Sequence, residues 1–165
     1  MNNFLVSCVK KWLHLSSDLV DSRLFDEESF YKQFRDDLRH SKKEVIIESP
    51  FISTNRMYSL IAPFEELVRR KVKVYVFTRH PDEHDLGMKQ QAESAIRRFE
   101  AMGVQVLITT DYHHRKIAIL DRTVLWEGSL NILSQTCSRE IMRRIDSASL
   151  SKEMFEYLKL NRFIY

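Results

Sequence analysis

From residue 26 onward the apolar positions fall into two alternating rhythms. Asp26 precedes Phe30, Phe34 and Leu38, which share one face of a helix, and Glu27 and Glu28 sit where the positive end of the helix dipole favours them. Glu44-Val-Ile-Ile-Glu48 reads as a short strand closed by Ser49-Pro50. A helix over about 56–70 would bury Leu60, Ile61, Phe64 and Leu67, and residues 72–77 return to strand character. A third helix over about 88–102 stops at Gly103, a natural C-terminal cap. Residues 104–108, 115–120, 124–126 and 140–145 read as further strands, and 152–160 as a closing helix.

Strands alternating with helices of ~10–15 residues predict an α/β fold, with a mixed, largely parallel sheet flanked by helices on both faces. The later strands follow one another too closely for helical crossovers, so that part is expected to be antiparallel or mixed. Residues 1–25 stand apart as a lead-in in which Phe4, Leu5, Val9, Trp12 and Leu13 have roughly helical spacing. Residues 26–165 then form one main domain.

Composition narrows the function classes. With 44% hydrophobic and 30% charged residues, the chain is of globular type and neither disordered nor fibrous. No run approaches the ~18 apolar residues of a membrane span. Cys8 and Cys137 cannot make a disulfide framework, which suits a reducing compartment. Lys10 and Lys11 break the apolar start at Phe4-Leu5-Val6 too early for a secretory signal, so a cytoplasmic location is expected. A net charge of +3 permits nucleic-acid binding without requiring it.

The chemistry concentrates between residues 111 and 131. Strand periodicity puts His114 and Lys116 on one face and Ile117 and Ile119 on the other. Asp121-Arg122 falls at a hairpin turn, and Gly128-Ser129-Leu130-Asn131 follows the second strand. An imidazole, an ammonium and an amide converging at strand ends suit a phosphate group. Lys116 would neutralise its oxygens, Asn131 and Ser129 would donate to them, and His114 would attack phosphorus or protonate the leaving oxygen.

His114-x-Lys116-x4-Asp121-x6-Gly128-Ser129-x-Asn131 resembles the full HKD signature of the phospholipase D superfamily. Gly103-Val-Gln-Val leading to Tyr112-His-His-Arg-Lys resembles the approach to that motif. Glu48-Ser-Pro-Phe-Ile-Ser53 and Val76-Phe-Thr-Arg79 are similar to the first two strand ends of the superfamily's catalytic half. The resemblance implies a phospholipase D-like catalytic domain over 26–165 that works through a phosphohistidine, with two motifs paired across a two-fold axis and neither metal nor cofactor. Carried over, His114 is nucleophile or acid, Lys116 and Asn131 bind phosphate, and Ser129 supports the site. Glu140 is expected to orient the catalytic histidine, while Asp121 and Gly128 are structural. One motif per chain then implies a homodimer. Single-motif members of this size resemble nucleases, some attached to helicases or restriction systems, so intracellular DNA is the expected target and such a subunit an expected partner.

Arg115, Arg139 and Arg143 are the candidate substrate contacts within a group that also includes Arg79, Arg122 and Arg144. His113 points away from His114, and Trp126 and Tyr112 are expected in core or rim packing rather than as stacking platforms. His80 and His84 have metal-like spacing, but Pro81 spoils the helix that would align them. Two rival functions follow. A lipid phosphodiesterase or transphosphatidylase needs an exposed apolar patch or interfacial helix, for which only residues 1–15 offer a weak candidate, so no membrane partner is expected. A non-catalytic nucleic-acid-binding or dimerisation module should have lost His, Lys or Asn from the motif, and this chain keeps all of them.

Overall fold

The computed structural model describes residues 20–110, 112–134 and 138–164. The apolar residues of the expected lead-in helix, along with Cys8 and Cys137, lie outside these. The strands are β1 (Asp21–Asp26), β2 (Glu44–Glu48), β3 (Lys73–Arg79), β4 (Gln105–Thr109), β5 (Ile117–Leu120), β6 (Val124–Gly128) and β7 (Ile141–Asp146). They form one seven-stranded sheet in the order β1-β7-β6-β5-β2-β3-β4. The helices are α1 (Glu27–His40), α2 (Thr54–Arg69), α3 (Leu86–Ala101) and α4 (Ala148–Tyr157).

The sheet is mixed, as expected, but its balance is antiparallel. Only the β2/β3 and β3/β4 pairings are parallel, whereas β1/β7, β2/β5, β5/β6 and β6/β7 are antiparallel. Connection length decides this. α2 and α3 provide the long crossovers that parallel neighbours need, and after β4 the links are short. A second difference concerns Asp21–Asp26. The hydrophobic pattern leaves this segment with the lead-in, yet it forms the edge strand, paired with β7 from Asp21↔Asp146 to Asp26↔Ile141. Its residues are mostly exposed, so no buried alternation marks it.

Alternation within each inner strand feeds two apolar layers. Val45, Ile47, Val74, Val76, Ala118 and Trp126 meet Phe30, Phe34 and Leu38 of α1, Leu60, Phe64 and Leu67 of α2, and Phe99 of α3. On the opposite face Ile46, Tyr75, Phe77, Ile119, Leu125 and Ile145 meet Phe155 of α4 and the following Leu160 and Ile164. Asp26 caps α1 by accepting the Ser29 N–H at 2.8 Å. Trp126 is fully buried among Phe25, Phe30 and Phe34, as expected for a core residue. Its indole donates to Asp37 at 2.8 Å, and Arg144 donates to both oxygens of the same carboxylate at 2.8 and 3.1 Å.

The β5–β6 hairpin is fixed at both ends. Thr123 N–H donates to Leu120 C=O at 3.0 Å across Asp121 and Arg122, whose φ of 51° and 57° give the mirror-image turn that matches strand twist. The Asp121 carboxylate accepts three backbone N–H groups, from Lys42 at 2.8 Å, Lys43 at 2.7 Å and Glu44 at 3.0 Å. Arg122 bonds Glu44 and lies over the Phe155 ring, 3.3 Å from its centroid. At the far end, a Cβ on Gly128 would fall 2.2 Å from the Ile141 carbonyl oxygen, so only glycine lets β6 and β7 approach this closely.

Each end gives a stability prediction. Hydrogen bonds to charged groups contribute roughly 1.5–3 kcal/mol each, so Asp121→Ala should lower unfolding free energy by about 3 kcal/mol or more in denaturant titrations. Asp121→Asn, which keeps one acceptor oxygen, should recover part of that. Gly128→Ala should cost about 1–3 kcal/mol through overpacking, seen as a lower melting temperature, and a melt unchanged from wild type would mean that the β6–β7 approach is not tight.

Candidate functional site

The carboxyl ends of β2 and β3, the end of β6 and the starts of β5 and β7 lie at one edge of the sheet. There an open cleft of about 390 Å³ is lined by His114, Arg115, Lys116, Gly128, Ile141 and Arg143, with Leu24, Ile117 and Glu127 completing the wall. His114 and Lys116 therefore face the same space, although β5 begins only at Ile117 and the two sit in the extended segment before it. His113 turns inward as expected. It is 5% exposed, with Nδ1 3.4 Å from Glu48 Oε1.

The Lys116 ammonium donates to the His114 carbonyl, which ties the two candidate residues together through the backbone. Partial burial pulls the Lys116 pKa below the ordinary lysine range, and the Glu140 carboxylate opposes that pull. Glu140 thus acts on Lys116, and its Oε1 accepts from the Ser138 hydroxyl at 3.0 Å. Among the described residues no hydrogen bond joins it to His114. Ser129 is committed to the start of β7, its hydroxyl accepting the Ile141 N–H at 3.2 Å while its own N–H donates to the Ile141 carbonyl at 3.0 Å.

Asn131 lies in the loop that leaves Ser129, and its Oδ1 is buried without a hydrogen-bond partner. Three contacts hold that loop in place. Tyr31 hydroxyl donates to the Ile132 carbonyl at 3.0 Å, Leu133 N–H donates to Ser49 Oγ at 3.2 Å, and Ser53 N–H donates to the Leu133 carbonyl at 2.9 Å. Burial raises the Tyr31 phenol pKa well above its usual value, so the group stays a donor.

The arginines divide. Arg143 lines the cleft and donates to Ser22 Oγ at 2.9 Å. Arg115 also lines it, but its guanidinium is held 2.6 Å from Glu48. Arg139 is exposed and outside the cleft lining. Arg122 and Arg144 are bound to Glu44 and Asp37, and Arg79 is buried against Glu83 at 2.7 Å. Asp121 sits a strand length from the cleft.

The fold gathers at the same edge a second group whose members the sequence shows only separately. Phe51, just after β2, meets the rings of both His84 and His114, with centroids 5.0 and 5.9 Å away. Arg79 at the end of β3 lies 5.4 Å from the Phe51 centroid and 5.0 Å from that of Tyr112. Burial, then the nearby Arg79 charge, lowers the His84 pKa, which favours a neutral ring. The available signal was topological, because residues just beyond the carboxyl ends of parallel strands gather where ligands bind.

Known proteins share this architecture. The family model described as "Cardiolipin synthase, PLD-like domain" matches residues 34–160. NucT from Helicobacter pylori superposes with a TM-score of 0.69 at 14% identity, over 85% of this chain and 94% of that one. Nuc from Salmonella typhimurium, a phospholipase D family member, gives 0.68 at 15% identity, over 85% and 92%. Phosphatidylserine synthase from Haemophilus influenzae gives 0.70 at 13% identity, over 88% of this chain but 39% of that one. No curated protein matches the chain. A seven-stranded α/β domain with an HKD signature at its edge, matched by the family model over most of its length, belongs to the phospholipase D superfamily.

Proposed function

We propose that the chain is an intracellular, metal-independent endonuclease that cuts DNA through a phosphohistidine, with two copies each contributing one His114. The observation that carries this reading is the shared cleft. His114, Lys116 and Arg143 face one open space large enough for a phosphodiester, with Ser129 bonded to Ile141 of its wall. Lys116 would hold the non-bridging oxygens. His114 of one copy would form a bond to phosphorus as the bond to the leaving oxygen breaks, and His114 of the second copy would give that oxygen its proton. Water, losing a proton to the second imidazole, would then displace the first and release the phosphate end.

Leu24 and Ile141, 59% and 58% exposed on the cleft wall, supply apolar surface for a second copy. The basic lips suit a phosphate backbone. The chain spans nearly all of NucT and Nuc but a minority of the phosphatidylserine synthase, and a helicase or restriction subunit is the partner this reading allows. A lipid phosphodiesterase or transphosphatidylase is the second reading, favoured by the matching family's cardiolipin synthase name. Among the described residues no helix is long and apolar enough to cross a membrane.

With labelled single- and double-stranded DNA in excess EDTA, the wild-type chain should cleave, and His114→Ala should be slower by about 10²–10⁴-fold. Equal cleavage by both proteins would remove His114 from the mechanism. Cleavage of phosphatidyl substrates alone would favour the lipid reading. The pH profile tests Lys116 separately. Burial disfavours its ammonium, so that charge disappears at lower pH than in an ordinary lysine, and kcat/KM should fall as pH rises through a value below about 10.4. In Lys116→Arg that alkaline limb should move upward, whatever the loss in rate.

A further inference from the structure

We infer that Tyr112, backed by Arg79, is a stacking platform for an unpaired nucleobase beside the scissile phosphate, so that the enzyme takes single strands or splayed ends. The inference rests on the nuclease reading above and names the substrate form. Tyr112 is 66% exposed and stands two residues before His114. Its φ of 50° is in the left-handed region, which a bulky residue rarely occupies unless its surroundings hold it there.

Arg79 provides the backing. Its side chain is 7% exposed and cannot swing away, because Nε donates to Glu83 Oε2 at 2.7 Å and Nη2 to the Glu83 carbonyl at 3.3 Å. The guanidinium therefore presents a fixed cation to two rings, Tyr112 at 5.0 Å and Phe51 at 5.4 Å. Phe51 in turn meets the His114 ring edge-on, with centroids 5.9 Å apart and planes at 68°. An aromatic and cationic ladder thus runs from the solvent-exposed Tyr112 ring to the reacting imidazole.

A buried cation behind an exposed ring holds it as a pre-ordered flat surface, and a flat surface recognises another π-face. Bases in a duplex are stacked on both faces and offer only their edges, so Tyr112 can engage only a base that has left the stack. An acyl chain has no π-face and would gain little from a cation-backed phenol. The ladder therefore fits nucleotides better than lipids.

The test reads binding by fluorescence anisotropy in EDTA on the full chain carrying His114→Ala, so that strands remain intact. The probes are labelled oligothymidylate, a base-free sugar–phosphate polymer of equal length, and a duplex. Adding Tyr112→Ala should weaken oligothymidylate binding by about 5- to 150-fold, the usual range for losing one stacked base, and leave the base-free polymer unchanged. Tyr112→Trp should restore it, and the duplex should bind less well than the single strand. No loss with Tyr112→Ala, or an equal loss on the base-free polymer, overturns the platform. A parent chain that binds no single strand overturns both the platform and the nuclease reading. Binding that depends on Tyr112 without any cleavage by wild type overturns the nuclease reading alone.

Discussion

One carboxylate sets the geometry on which the site depends. By accepting the N–H groups of Lys42, Lys43 and Glu44, Asp121 locks the β5–β6 turn to the beginning of β2. The pairing of β5 with β2 is then fixed from Val45↔Leu120 to Glu48↔Ile117. A slip of one residue would turn His114 and Lys116 to the other face, since side chains alternate along extended backbone. Because β2 runs antiparallel to β5, the residues before Ile117 arrive at the carboxyl end of β2, next to Glu48 and Phe51. Gly128 completes the frame by letting β7 close in, which brings Ile141 and Arg143 to the same cleft.

Much of this was legible in the sequence, for reasons that differ by element. The helix beginning at Asp26 combines a cap, acidic first-turn residues and an apolar stripe, three signals that agree. β2 and β3 are buried on both faces and read as apolar runs. β1 was not legible, because an edge strand with little buried surface carries no alternation and is held by backbone pairing to a segment more than a hundred residues away. The motif's Asp and Gly stood out by spacing, but their reasons did not. The three N–H groups on Asp121 come from 77 to 79 residues upstream, and the contact that requires Gly128 is with a backbone carbonyl.

The arginines show the same limit more sharply. In sequence, Arg115, Arg122, Arg139, Arg143 and Arg144 form one basic group, yet the fold sorts them by partners that local pattern cannot reveal. Arg144 meets Asp37 across 107 positions, Arg122 meets Glu44 across 78, and Arg115 meets Glu48 across 67. The first two stiffen the sheet, and Arg115 ties the motif segment to β2. Arg143 is left to shape the cleft beside Lys116. Acids thus take up the guanidiniums of Arg115, Arg122 and Arg144, and Lys116 and Arg143 carry the positive charge that faces the cleft.

Lys116 shows what this arrangement does for the chemistry. Burial disfavours its ammonium and Glu140 compensates only in part, which leaves the charge under-solvated. In the proposed reaction an incoming phosphate would replace the missing water with fixed opposite charge, and the attraction would be greatest where negative charge grows in the transition state. The lysine's hydrogen bond runs back to the His114 carbonyl, so the ammonium and the imidazole are held by the same backbone that Asp121 and Gly128 fix. Positioning of His114 and Lys116 is therefore supplied by the sheet, at a distance from the cleft, and the cleft itself stays open, as the proposed DNA substrate would require.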